Sequence, residues 1–267
     1  PSDPNIQSKI YQKREFYFHK LPDRPEMNNY EDIREYRNNI CGREFALHEH
    51  QSFLANFINP DTPYRGLLLF HGTGSGKTCA AISIAEKFKP IVQKYNTKIY
   101  VLVSGPLIKE SWKNELIKCT GETYMKYVDK SLYLHKKEEE KAKKNALNSA
   151  LQYYRFISYR GFYRRVLGEK IKEEKLSTDD KVKVGYRKTE TGEFERDISV
   201  DRIYNLNNSM IIIDEAHNLT GNMYGDALNL IIKKSTNLRV LLLTATPMKN
   251  LADDIIELIN FLKPPGK

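Results

Sequence analysis

The run Gly72-Thr73-Gly74-Ser75-Gly76-Lys77-Thr78 has the residue types and spacing to hold a chain of phosphates. Glycines let successive backbone N–H groups converge on one anion, and a helix opening at Lys77 would aim its N-terminus at the same charge. Lys77 can reach the β- and γ-phosphates of a nucleoside triphosphate, and the Thr78 hydroxyl can ligate Mg²⁺. The expected ligands are therefore ATP and Mg²⁺. The strict pattern G-x-x-x-x-G-K-[ST] would place glycine at position 71, where this chain has His71.

A second constellation is Ile211-Ile212-Ile213-Asp214-Glu215-Ala216-His217. Three β-branched apolar residues read as a buried strand, and a carboxylate at the end of such a strand can bind the water shell of a metal. Asp214 fits that role. Glu215, one residue on, can polarise the water that attacks the γ-phosphate. Lys77 and Glu215 are thus the catalytic candidates, and Thr78 and Asp214 the metal candidates. An H-x-H pair, His48 and His50, is no comparable site, because residues two apart on a helix point to different sides.

Strands must bring these two runs together. Gly66-Leu67-Leu68-Leu69-Phe70 is an uninterrupted apolar run of the kind buried on both faces of a parallel sheet. It enters the glycine loop, and a helix over Lys77–Phe88 follows. The same alternation recurs at Ile99–Val103 with a helix over Leu107–Lys118, at Met210–Ile213, and at Val240–Leu243 with a helix over Leu251–Leu262. Strands alternating with helices predict an α/β fold: a mostly parallel sheet with helices on both faces. A short amphipathic helix ending at Asn59-Pro60 precedes the first strand, and residues 1–44 read as an irregular, partly helical arm.

Length and composition narrow the class. The chain has 267 residues, 40% hydrophobic and 29% charged, which is enough for a large α/β domain and excludes collagen-like or wholly disordered chains. No apolar run approaches the roughly 18 residues of a membrane helix, so the expectation is an intracellular protein with no membrane partner. Cys41, Cys79 and Cys119 lie far apart with no C-x-x-C pair, which favours three free thiols over a disulfide or a structural zinc. The opening Pro1-Ser2-Asp3-Pro4 has no initiator Met, which suggests a fragment of a longer chain.

The net charge of +9 is unevenly placed: Lys126–Lys188 holds 18 basic and 9 acidic residues, and the rest holds 25 of each. The segment also carries Tyr153, Tyr154, Phe156, Tyr159, Phe162 and Tyr163. Phosphate contact with base stacking would use such residues; a solvated charged helix beside ordinary core aromatics is the alternative. Residues 126–205 interrupt the strand–helix rhythm and read as a charged insertion. Within them lie a helix over Lys136–Leu151, a short strand at Arg155–Ser158, and a surface hairpin around Thr191-Gly192.

Taken in order, Gly-Ser-Gly-Lys-Thr, then Asp214-Glu215-Ala216-His217, then Thr244-Ala245-Thr246, resemble the Walker A, DEAH-box and T-A-T motifs of superfamily 2 helicases and translocases. The resemblance covers about Glu44 to Pro265 and implies their first RecA-like domain, 45–265. It also implies an adenine-reading role for Gln51, although the usual Arg-Pro beside it is missing. Gly105-Pro106, with Trp112 after it, look like the motif that touches the nucleic-acid backbone. Ser158-Tyr159-Arg160 falls near the next such motif, and Thr244, Ala245 and Thr246 would couple nucleotide to nucleic acid.

In style the glycine loop is similar to the early transcription factor and nucleoside-triphosphatase subunits of poxvirus-like large DNA viruses. The resemblance implies an ATP hydrolase acting on nucleic acid, DNA ahead of RNA, with transcription-machinery partners, in host cytoplasm, nucleus or virion. It also implies a second RecA-like domain beyond Lys267. That domain's arginine contacts can be worth roughly 10³–10⁵ in rate, so the fragment alone is expected to be weakly active. Two alternatives are a transcription or packaging factor that uses the fold as a nucleic-acid-gripping scaffold, and a restriction-enzyme motor. A scaffold has no need of Lys77, Thr78, Asp214 and Glu215 together, and no nuclease motif accompanies them.

Overall fold

The computed structural model describes residues 4–5, 8–9, 12–13, 17, 25–41, 49–72, 74, 76–120, 123–124, 136–168, 171–175, 187–188, 194–198, 201–247 and 253–263. Two helices, α1 (Tyr30–Cys41) and α2 (Glu49–Phe57), precede the first strand. Then β1 (Gly66–Phe70) leads into α3 (Lys77–Lys87) and the short α4 (Lys89–Lys94). Next, β2 (Ile99–Val103) leads into α5 (Pro106–Cys119), and after α6 (Lys136–Ala150), β3 (Tyr154–Ser158) leads into α7 (Tyr159–Leu167). The strands β4 (Ile171–Lys175), β5 (Arg187–Lys188) and β6 (Phe194–Ile198) follow. The chain returns through β7 (Met210–Ile213), a 3-10 turn (Ala216–Leu219), α8 (Met223–Lys234), β8 (Arg239–Thr244) and α9 (Asp253–Leu262).

Five strands form one sheet in the order β1-β8-β7-β2-β3, and every pair in it is parallel. Their sequences are apolar throughout because both faces are covered. Val101, Val103, Ile212, Leu241 and Leu243 belong to the core under α3 and α5, with Ala80, Ile84, Trp112 and Leu116. The alternate residues Leu102, Ile211, Ile213 and Leu242 belong to the core on the opposite face, with Phe162, Leu228, Ile231 and Phe261 from α7, α8 and α9. A period of two thus sends neighbouring side chains to opposite layers. Gly66 sits where α9 crosses β1: a Cβ there would lie 2.7 Å from Leu262 Cδ2 and 2.8 Å from the Val240 carbonyl.

The structure gives parts of the 126–205 stretch a place in the main layers. Strand β3 extends the sheet beside β2, and Phe162 of α7 is fully buried. The aromatics offered for base stacking are largely core: Tyr154, Phe156, Tyr159 and Phe162 are all buried. The alternative reading of them as ordinary core residues is the one the packing supports. Only β4, β6 and β5 stand apart, as a small antiparallel sheet. Arg187 pairs with Glu195 and Lys188 with Phe194 across the expected hairpin, while residues 181–186 lie outside the described residues.

The expectation of three free thiols is corrected. Cys79 of α3 and Cys119 of α5 form a disulfide with a Cα–Cα distance of 5.4 Å, within the usual range for such a bond. The two helices lie side by side on one face of the sheet, a neighbourhood that a separation of 40 residues conceals in the sequence. Among the described residues no helix is long and apolar enough to cross a membrane.

Candidate functional site

The parallel order places the ends of β1, β8, β7 and β2 along one edge of the sheet, so the glycine loop and Asp214 meet there. Of the loop, Thr73 and Ser75 lie outside the described residues. Gly74 and Gly76 have φ of 76° and 75°, the left-handed region that costs a side-chain-bearing residue energy. At Gly76 a Cβ would also lie 2.6 Å from Gln51 Nε2, so a side chain there would have to displace the end of Gln51. Gln51, 2% exposed, donates from that nitrogen to the Gly76 carbonyl at 3.0 Å. The residue expected to read adenine is thus held against the loop by α2.

Lys77 opens α3 and curls back over the loop. Its ammonium donates to the carbonyls of His71 and Gly72, each at 2.9 Å. Thr78 follows it in the first turn, and Gly72 and Gly74 have open space where a Cβ would stand. His71 itself is tied to the neighbouring strand, its N–H donating to the Thr244 carbonyl at 3.4 Å.

Asp214 ends β7, with its backbone N–H donating to the Leu102 carbonyl at 3.0 Å. The indole N–H of Trp112, 3% exposed on α5, donates to its Oδ2 at 2.8 Å. Burial pushes the Asp214 carboxyl above its usual range. The Trp112 hydrogen bond opposes that shift, the Glu215 charge adds to it, and the Lys77 charge opposes it. A half-buried carboxylate within reach of a lysine's charge is a group that gains from a cation, so the residues present fit a divalent metal at this corner.

Glu215 has φ of 49°, left-handed for a residue with a side chain, and it caps the 3-10 turn. Two contacts hold it there: the Asn218 N–H donates to the Glu215 carbonyl at 2.9 Å, and the Tyr159 hydroxyl donates to the same carbonyl at 3.4 Å. That hydroxyl also donates to the Asp214 carbonyl. Burial, then the charge of Asp214, pushes Tyr159 well above the usual phenol range, so it remains a donor.

The T-A-T residues join the same corner through His217. Thr244, fully buried, places Oγ1 at 2.8 Å from His217 Nδ1 and accepts from the Thr246 N–H at 3.1 Å. Thr246 Oγ1 lies 3.3 Å from the same ring nitrogen, and Glu215 Oε2 lies 3.4 Å from it. Ala245 sits between the two threonines, half-buried. Gly105 and Pro106 begin α5 at the neighbouring strand end, with Gly105 in extended backbone and Leu107 85% exposed.

Trp112 differs from its sequence-based grouping with the nucleic-acid motif: it points inward, to Asp214. Tyr159 was likewise grouped with a surface motif and instead pins the carbonyls of Asp214 and Glu215. A tryptophan at a buried helical position with an N–H to satisfy was the available signal for the first. No sequence signal distinguishes Tyr159 from its aromatic neighbours.

Fold and site together define a class: a parallel α/β domain with a glycine-rich phosphate-type loop after β1 and an acidic strand end two strands away. Residues 44–249 match the family described as type III restriction enzyme, res subunit. The chain belongs to that family, within superfamily 2, and forms its RecA-like domain. It is 58% identical over 265 residues to a predicted ATP-dependent RNA helicase of Acanthamoeba polyphaga mimivirus, covering 99% of this chain and 23% of that one. A predicted helicase of invertebrate iridescent virus 3 is 32% identical, covering 80% of this chain and 20% of the other. The early transcription factor 70 kDa subunit of Melanoplus sanguinipes entomopoxvirus is 27% identical, covering 80% and 25%. The chain thus spans about a fifth to a quarter of these relatives' lengths.

Proposed function

We propose that this domain is the ATP-binding half of a viral, nucleic-acid-dependent ATPase of superfamily 2, a helicase or translocase with a transcription-related role. The observation that carries the proposal is the convergence of the Lys77 loop with an Asp214 carboxylate held by Trp112. In this reading Gly72, Thr73, Gly74, Ser75 and Gly76 present backbone N–H groups to the phosphates. Lys77 neutralises charge on the β- and γ-phosphates, and Gln51 borders the base. Thr78 and Asp214 would hold Mg²⁺, which when bound offsets the charge of the phosphate oxygens.

Glu215 orients and deprotonates the attacking water, and the left-handed backbone held by Tyr159 and Asn218 aims its side chain. His217 links that residue to Thr244 and Thr246, so a change at the nucleotide has a bonded route to the strand-end loop of β8. Gly105, Pro106 and the exposed start of α5 supply a surface for a phosphate backbone. The names of the relatives support nucleic acid as the partner, and a second RecA-like domain would complete the motor. An intracellular or virion setting suits both.

The test is ATP turnover with Mg²⁺ by the chain joined to its following domain, with and without single- and double-stranded DNA and RNA. Stimulation by one polymer is the expected result and names it. Turnover that no polymer changes contradicts the nucleic-acid-dependent reading, and absence of turnover with every polymer favours a scaffold.

A further inference from the structure

The Cys79–Cys119 pair sits at a mechanically sensitive place. Cys79 is the third residue of α3, directly after Lys77 and Thr78, and Cys119 ends α5, about two turns beyond Trp112. One covalent bond therefore ties the helix that carries the phosphate loop to the helix whose indole holds Asp214. Glu115 Oε2 lies 3.7 Å from the Cys79 sulfur and 3.5 Å from the Cys119 sulfur. Cys119 also lines a solvent-open cavity of about 400 Å³ whose wall includes Ser52, Asn56, Ser83, Glu86 and Thr120.

We infer that Cys79 and Cys119 form a reversible dithiol–disulfide site for low-molecular-mass disulfides, and that its state is read at the phosphate loop. The coupling rests on the nucleotide-binding reading above; the exchange chemistry does not. In the reduced protein, Cys119 faces the cavity and its thiolate attacks one sulfur of an incoming disulfide RS–SR. An S–S bond forms to the protein, and the other half leaves as RS⁻, protonated by water to RSH. Cys79 then gives its proton to the Glu115 carboxylate and attacks the Cys119 sulfur, expelling the second RS⁻. Two protein thiols are oxidised, and one small disulfide is reduced to two thiols. Oxidation fixes α3 against α5, so Lys77, Thr78 and Asp214 are held in register before ligand arrives, which strengthens binding by preorganisation.

The experiment equilibrates the whole chain in glutathione buffers of varied oxidised-to-reduced ratio, maps disulfides by mass spectrometry, and measures MgADP affinity in each state. A Cys79–Cys119 link should form and reverse with the ratio. The oxidised form should bind MgADP at least about five-fold more tightly. Cys79→Ser and Cys119→Ser should each abolish the difference, while Cys41→Ser should keep it.

Thiols that stay unpaired at every ratio overturn the exchange site, whatever MgADP does. So does a reduced protein that takes up one zinc ion on Cys79, Cys119 and Glu115 and then resists glutathione. Equal affinities in the two states overturn the coupling. MgADP binding in neither state, with the link formed, retires the nucleotide reading and the coupling with it, and leaves the exchange site standing. The titration of the unaltered chain decides the matter even if a serine variant fails to fold.

Discussion

The indole N–H of Trp112 lies 2.8 Å from Oδ2 of Asp214, joining the middle of α5 to the end of β7 across 102 residues of sequence. Trp112 is buried and Asp214 half-buried, so the indole N–H would lack a partner without the carboxylate. The bond fixes which way the carboxylate faces. In the proposed function, position 112 therefore positions the metal-holding carboxylate without touching the nucleotide.

Trp112→Phe keeps most of the packing and deletes the donor. A hydrogen bond to a charged group contributes about 1.5–3 kcal/mol, so stability should fall by roughly that amount at neutral pH. The urea midpoint measures this. Because the bond also favours ionised Asp214, the variant should need more Mg²⁺ for nucleotide binding. A variant with wild-type stability and Mg²⁺ dependence would mean the contact is incidental.

Asp214 opposes folding when it is charged. Its carboxyl is raised in the folded chain above the usual 3.8, so the native state binds the proton more tightly than the unfolded state. Stability then falls as pH rises through the window from the usual value up to the folded one, and the cost persists above it. Asp214→Asn should remove that pH-dependent fall and raise the melting temperature at pH 7, while Mg²⁺-dependent nucleotide binding weakens. Melting curves across the acid range check the sign, and a less stable Asn variant at pH 7 would reverse the argument.

Much of this was legible in the sequence, for stated reasons. Strands β1, β2, β7 and β8 announce themselves because burial on both faces demands continuous apolar residues, and β7 spans Met210–Ile213 as expected. The loop and Asp214-Glu215 stand out because few residue types can do their chemistry. Helix α8, Met223–Lys234, is absent from the sequence reading although Gly221 and the Asn222 cap stand at its start. The aromatic residues of β3 and α7 look the same whether they face base or core, and only the neighbouring strand decides. The disulfide was missed because it depends on α3 and α5 being adjacent, a tertiary fact.

Reduction of the Cys79–Cys119 bond should destabilise the domain. For a closed loop with a sequence separation of 40, chain entropy gives about 4 kcal/mol. Urea melts with and without a phosphine reductant measure the difference, and Cys79→Ser should match the reduced chain. A change under about 1 kcal/mol would show that the two helices are held by packing alone.

The charged helix α6 offers a direct test of nucleic-acid contact. It seats Ala146 and Ala150 in the core and turns Lys141, Lys143 and Lys144 outward. If these lysines meet phosphates, replacing all three with Ala should flatten the log–log salt dependence by about 0.7–0.9 per lost contact. MgADP affinity without nucleic acid should be unchanged. An unaltered salt slope would assign the lysines to solvation.

The most direct measurement is MgATP titration by calorimetry of the unaltered chain beside Lys77→Ala. Lys77 supplies a charge-assisted hydrogen bond worth about 1.5–3 kcal/mol, so its loss should weaken MgATP binding by roughly 10- to 150-fold. The melting temperature should stay close to that of the unaltered chain. Saturable MgATP binding that collapses in the variant is the result expected here. Equal affinity in the two proteins, or no binding to either, would contradict the assignment of this loop as the phosphate site.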